Sequence, residues 1–354
     1  MSDSKRAVLR RVRAFADLGD EECDAVLRVL RARRGAPNDV LFREGDAGDS
    51  LMIVLDGELI ARVRTAAGTE EDVARLGPGQ VVGEMAFIDA EPRSATVVAG
   101  NTPVTVLDFT RAALGRLVAE APRVASAILR NVLVDVARRL REAGETLSDG
   151  SIGSEVHGPA SLGRGARGVT ATQLRNVPAF ATYGQEDLEL LAHVATLRSF
   201  ARNDILIRAG DAGTSCFLIA TGNVSVHRPG APGPIATLGP GALVGQLALI
   251  DRAPRSATVT ATEDTMALEL RGDAFTNLVR ASSPIALRFQ WQVALAGVRQ
   301  LRTATKKLAT TIHERAPSSY DGGQVGHTLG GWDDWDDGAP GSALELADTP
   351  RSHR

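Results

Sequence analysis

The hydrophobic positions of the chain follow two periods. Short runs such as Ser50–Leu55 and Glu58–Val63 read as strands. Glycines 45, 48 and 57 punctuate them, and Pro78-Gly79 has the chemistry of a type II turn, with φ fixed at the first residue and free to be positive at the second. Helical spacing appears elsewhere. Val26, Leu27, Val29 and Leu30 follow Asp20, a candidate N-cap, and predict a short amphipathic helix. Leu129, Leu133, Val136, Leu140 and Ala143 predict a longer helix, whose simplest role is packing on its own barrel. Trp291, Ala294, Val298, Leu301, Thr305, Leu308 and Ile312 hold a heptad register through a helix over 285–312, which leaves intramolecular packing and self-association both open. The whole predicts a mainly β fold with flanking α-helices, built as antiparallel barrels or jelly rolls.

The pattern occurs twice. Phe15-Ala16, Asn38-Asp39, Gly45-Asp46-Ala47-Gly48 and Gly57 recur 165 residues later, as Phe180-Ala181, Asn203-Asp204, Gly210-Asp211-Ala212-Gly213 and Gly222. Past a variable turn the offset is 162, so Pro92-Arg93-Ser94-Ala95-Thr96-Val97 returns as Pro254-Arg255-Ser256-Ala257-Thr258-Val259. Repeats this long are tandem domains rather than a solenoid. They imply a basic segment over 1–14, a first domain over 15–143, a flexible Gly/Ser-rich linker over 144–172, a second domain over 173–316 and an acidic, disordered tail over 317–354.

A net charge of −3 speaks against broad binding to nucleic acid or a membrane surface. The two cysteines, Cys23 and Cys216, lie far apart and suit a reducing cytoplasm. The basic opening residues lack the apolar core of a secretory signal, and no apolar run is long enough to predict a membrane span. The histidines show no metal-ligand spacing, and no nucleophile elbow or P-loop is present, so neither an enzyme nor a resident cofactor is expected.

The chemistry concentrates in residues 83–97. Gly83 permits close backbone approach, and the following residues can open a helical turn whose free N–H groups face an anion. Arg93 offers a planar fork matched to two phosphate oxygens. Glu84 is an acceptor for a sugar hydroxyl, while Ser94 and Ala95 are small enough to let their own N–H groups reach the anion. The stretch closely resembles the phosphate-binding cassette of the cyclic nucleotide-binding domain family, to which protein kinase A regulatory subunits and catabolite activators belong. The resemblance implies an eight-stranded β-roll with flanking helices, and a site of Gly83, Glu84, Met85, Ala86, Arg93, Ser94 and Ala95. Glu84 would take the ribose 2′-hydroxyl and Arg93 the cyclic phosphate of cAMP or cGMP, with cAMP preferred as the commoner family ligand.

The second copy would use Gly245, Gln246, Leu247, Ala248, Arg255, Ser256 and Ala257. Gln246 accepts without the charge of a glutamate, a difference of about 1 kcal/mol, or roughly five- to tenfold in affinity. A weaker second site and a dead one both remain open. Nothing after Ile312 can form a helix-turn-helix. The arrangement therefore resembles a kinase regulatory subunit acting on a separate protein partner through helices that move on binding, with a scaffold of degenerate sites as the alternative. Trp291 is open between core packing and capping a purine. Trp332 and Trp335, set among four aspartates, read as a docking motif or as a solubilising tail, with the basic helix before them a candidate internal target.

Overall fold

The computed structural model describes residues 2–10, 12, 15–65, 68–148, 160–161, 163–177, 180–181, 183–231 and 233–315. The tail, with Trp332 and Trp335, lies outside the described residues.

The first unit opens with α1 (Ser2–Leu9) and α2 (Asp20–Val29). Strands β1 (Arg31–Gly35), β2 (Val40–Phe42), β3 (Ser50–Asp56), β4 (Leu59–Arg64), β5 (Glu70–Leu76) and β6 (Val81–Val82) follow. Next come α3 (Glu84–Asp89), β7 (Thr96–Ala99), β8 (Val104–Thr110), α4 (Arg111–Glu120) and the long α5 (Pro122–Ser148). Two four-stranded antiparallel sheets, ordered β1-β8-β3-β6 and β2-β7-β4-β5, face one another. The apolar run Leu51–Val54 of β3 is buried throughout because strands between two packed layers have no solvent face. Gly57 turns β3 into β4 at φ 82°, and a Cβ there would lie 2.5 Å from the Pro103 carbonyl. The outer strand β5 carries Glu70, Glu71 and Asp72, charges that blunt an exposed edge.

The second unit repeats the plan. It opens with β9 (Arg164–Gly168), α6 (Ala171–Arg175), α7 (Gln185–Val194), β10 (Ala195–Phe200) and β11 (Ile205–Ile207). It continues with β12 (Ser215–Thr221), β13 (Val224–His227), β14 (Pro234–Leu238), β15 (Leu243–Val244) and α8 (Gln246–Ile250). It closes with β16 (Thr258–Ala261), β17 (Thr265–Arg271), α9 (Gly272–Arg280) and α10 (Pro284–Arg315). Its sheets run β15-β12-β17-β10-β9 and β11-β16-β13-β14.

Four details depart from the sequence reading. The segment expected as a flexible linker over 144–172 holds the end of α5 and the strand β9, paired with β10 through Gly168↔Thr196 and Arg167↔Leu197. Arg-Gly-Ala-Arg-Gly has no apolar side to betray a strand; only main-chain pairing makes it one. The basic segment over 1–14 is not a detached arm. Leu9 and Val12 are buried in the core, and Arg10 pairs with Asp20 at 2.5 Å. Asp20 begins α2 rather than capping it: Gly19 is the N-cap, and its N–H donates to the Glu22 carboxylate at 3.0 Å.

The fourth departure organises the molecule. The apolar stripe of α5 packs on α10 of the second unit rather than solely on its own barrel. Val293, Ala294, Val298 and Leu301 are buried there, so the Ala294–Leu301 part of the heptad stripe packs inside the chain. A Cβ on Gly297 would lie 2.8 Å from Val136 Cγ1, so the helices approach closely at that glycine.

Candidate functional site

Gly83, at φ 79°, caps the short α3 in a conformation that favours glycine. This turn buries Glu84, Met85 and Ala86 against the barrel and brings Arg93 back beneath it. Arg93 Nη1 donates to the Ser50 carbonyl at 2.6 Å and to the Gly83 carbonyl at 3.0 Å, while Nη2 reaches Ser50 Oγ at 3.2 Å. The guanidinium lies 4.2 Å from the centre of the Phe42 ring, a cation–π contact. Main-chain bonds from Gly45 to Arg93 and from Arg93 to Asp46 tie the Gly-Asp-Ala-Gly turn to the same place. Ser94 Oγ donates to Met85 Sδ at 3.1 Å, so Ser94 returns to Met85 as Arg93 returns to Gly83.

Glu84 is 1% exposed. Its Oε1 accepts from Arg139 Nη1 at 2.8 Å, and Arg139 Nη2 also donates to the Val81 carbonyl and lies 3.0 Å from Asp135. Burial raises the Glu84 pKa, and the charge of Arg139 is the main influence opposing it. Burial also lowers the pKa of Arg93, while Asp108, Asp49 and Glu84 oppose the shift. Glu84 Oε2 and Arg93 Nε are buried without a hydrogen-bond partner. Orphaned polar atoms of this kind are uncommon in folded proteins and suit a group that a ligand completes. A sugar hydroxyl and a phosphate oxygen have the matching chemistry.

The second copy repeats the geometry without the charge. Gly245, at φ 84°, caps α8, and Arg255 donates to the Gly245 and Ser215 carbonyls at 2.6 and 2.5 Å. Gln246 is 2% exposed; its Nε2 donates to Gln300 Oε1 at 3.2 Å, and Gln300 Nε2 donates to the Leu243 carbonyl at 2.8 Å. Its Oε1 is a buried atom without a partner. Ala248 is buried in α8, whereas Leu247, Ser256 and Ala257 are half-buried and line a cavity of about 770 Å³ beside the cassette. Thr237, Leu238 and Gln300 line it too, together with Leu140 from α5 of the first unit.

Both sequences match the model of the cyclic nucleotide-binding domain, over residues 32–121 and 197–282. Both barrels belong to the cyclic nucleotide-binding domain family. The chain is similar to proteins called cAMP-dependent protein kinase regulatory subunit. The one from Yarrowia lipolytica is 26% identical over 265 residues, which cover 75% of this chain and 58% of that one. The one from Blastocladiella emersonii is 25% identical over 277 residues, covering 77% and 58%. The chain thus spans under two thirds of the length of these relatives. Among solved structures, the cAMP-bound regulatory domain of Toxoplasma gondii PKA is 22% identical over 78% of this chain and 91% of that one, with a TM-score of 0.30. The N-terminal domain of a transcriptional regulator from Streptomyces coelicolor is 37% identical over 40% of this chain and 99% of that one, with a TM-score of 0.32.

The two cyclic nucleotide-binding domains share their closing helices. Arg139 and Gln300, bonded to Glu84 and Gln246 of their own domains, are 161 residues apart, and so are Arg141 and Arg302. This second pair crosses over. Arg302 of α10 grips Asp89 of the first cassette with bonds of 2.9 and 3.0 Å and donates to the Pro92 carbonyl. Arg141 of α5 grips Asp251 of the second cassette in the same bidentate way, with Nη2 at 2.9 Å. Asp251 is the counterpart of Asp89, 162 residues on. Val136 and Gly297, which touch, are also 161 residues apart, so a pseudo-twofold axis runs through their contact. Trp291 packs on Phe87 of the first domain, ring centres 6.0 Å apart, and so covers the opposite domain's cassette rather than its own site. Sequence reasoning missed Arg139, Arg141, Gln300 and Arg302. Their one visible signal is a polar residue flanking an apolar helix stripe, which is what any solvated face shows.

Proposed function

We propose that the protein is a two-site cyclic nucleotide sensor, for cAMP in preference to cGMP, that signals to a separate protein partner through α5 and α10. Glu84 and Arg93 read the ribose and the phosphate in the first domain, with Gly83, Met85, Ala86, Ser94 and Ala95 shaping the site. Gln246 and Arg255, with Gly245, Leu247, Ala248, Ser256 and Ala257, form a second site. The relatives named for cAMP support the choice of nucleotide. A cytoplasmic setting and a kinase-type partner belong to the same reading.

The observation that carries it is the position of Arg139 and Gln300. Each closing helix holds a side chain on the residue that the sugar must engage and helps bury it, so a ribose reaching the unpartnered Glu84 Oε2 or Gln246 Oε1 has to displace the helix. A ligand shifts such an equilibrium by its difference in affinity for the two helix positions. Calorimetric titration of the wild type, Arg93→Ala and Arg255→Ala with cAMP and cGMP tests the reading. Saturable cAMP binding that loses one phase in each variant supports two live sites. Loss in Arg93→Ala alone supports a degenerate second site. The ion pair on Glu84 favours one further reading, a scaffold whose barrels are held shut; no heat and no thermal shift with either nucleotide would establish it.

A further inference from the structure

The pseudo-twofold axis exposes one place where the halves differ. On one side Trp291 of α10 fills the space over Phe87 of α3. On the other side the equivalents, 161 and 162 residues earlier and later, are Arg130 of α5 and Leu249 of α8. No aromatic ring stands at either position, and a cleft of about 150 Å³ remains. Its walls include Val134, Leu249 and Val279, and Val134 is 42% exposed, an unusual position for valine on a helix that is otherwise packed. Three arginines, Arg130, Arg252 and Arg280, line the same cleft. Among the described residues none of them forms an ion pair. Arg252 and Arg280 are exposed, and Asp17 is the acid whose charge reaches Arg130. About 150 Å³ is the space one benzene ring occupies, so the open cleft can take the six-membered edge of an indole against Val134, Leu249 and Val279, and the guanidinium groups at its sides suit carboxylates.

We infer that the acidic tryptophan segment Trp332–Asp337 of this chain docks in the cleft between α5, α8 and α9, one indole seated where Trp291 sits on the other side and the aspartates facing Arg130, Arg252 and Arg280. The segment reads Trp-Asp-Asp-Trp-Asp-Asp, an aromatic anchor with four carboxylates against three guanidiniums without an ion pair, of which Arg130 donates to Ser126 Oγ at 2.7 Å. The reach is sufficient. Trp332 lies 17 residues beyond Arg315, the end of α10, and 17 extended residues span roughly 56–61 Å. The cleft lies beside the start of α10, and its 32 residues are about 48 Å long. The tail therefore returns along its own helix. Docked there, it joins α5 of the first domain to the second cassette and adds a third element to the contact the closing helices make.

The test uses the full chain carrying Trp291→Phe, which leaves Trp332 and Trp335 as its only indoles. Docking predicts blue-shifted emission, weak quenching by acrylamide and no change on dilution. Adding Arg252→Glu and Arg280→Glu, both at exposed positions, should raise the quenching constant severalfold toward that of the urea-unfolded chain. Replacing Asp333, Asp334, Asp336 and Asp337 by Asn in the Trp291→Phe chain, with Arg252 and Arg280 kept, should release the indoles in the same way without touching the described fold. Indoles exposed from the outset overturn the inference, and so does protection that survives charge reversal. Protection lost on dilution places the segment on a second copy and overturns docking within the chain.

Discussion

Arg139→Ala separates stability from affinity at one residue. The substitution strips a guanidinium from a carboxylate whose side chain is 1% exposed, against 13% for the arginine. An uncompensated buried charge costs about 3–5 kcal/mol. Proton uptake limits that cost, because neutralising an ordinary carboxyl with a pKa of about 4.3 at pH 7 takes about 3.7 kcal/mol. The expected loss at pH 7 is then about 3–4 kcal/mol. Its pH dependence has a definite sign. Burial already raises the Glu84 pKa, and removing Arg139 takes away the main opposing influence. A folded-state pKa above the unfolded one leaves stability intact at low pH and forfeits it as pH rises through the folded value. The deficit should thus shrink to about 1 kcal/mol near pH 5 and grow toward neutrality. Urea unfolding of wild type, Arg139→Ala, Glu84→Gln and the double variant, from pH 5 to pH 8, measures it as a double-mutant cycle. In the Glu84→Gln background no carboxylate is stranded, so most of the deficit should vanish. Under the proposed function the same Arg139→Ala chain binds cAMP more tightly in the first domain, since the side chain that α5 closes over Glu84 is gone. A deficit equal at pH 5 and pH 8, or unchanged by Gln at position 84, would refute the reasoning.

Three further outcomes are expected. Arg302→Ala leaves Asp89, whose side chain is 4% exposed, without its bidentate partner; it should cost about 2–5 kcal/mol and raise hydrogen exchange in residues 83–97 more than in 245–259. Gly297→Leu forces bulk into a contact where even a Cβ would sit 2.8 Å from Val136; overpacking should cost about 1–3 kcal/mol, read as a lower melting temperature with both barrels retained by circular dichroism. Cys216 is fully buried and its thiol is pushed up to about 12 by burial, so a thiol reagent at about pH 8 should label neither it nor the buried Cys23 until urea is added.

The sequence alone determined the parts whose cause is local. Positive-φ turns need glycine at 57, 83 and 245, and a barrel strand between two layers needs an apolar run like Leu51–Val54, so both show in the residue order. The cassettes were legible for the same reason: Glu84 and Arg93 sit nine residues apart on one short turn, and the repeat at an offset of 162 exposes their counterparts. What the sequence did not determine depends on partners distant in the chain. The strand Arg164–Gly168 exists because β10 offers unpaired main-chain groups, not because of its own side chains. The apolar stripe of α5 looks the same whether it meets its own barrel or α10, since burial has no direction in a one-dimensional pattern. Arg139 and Arg141 are two ordinary basic residues on a helix until the fold sets one on Glu84 and the other on Asp251 of the opposite domain. Side-chain type and local spacing fixed which groups each cassette carries, whereas the packing of α5 on α10 decided which side chains cover the two cassettes and that each domain's closing helix also grips the other's cassette.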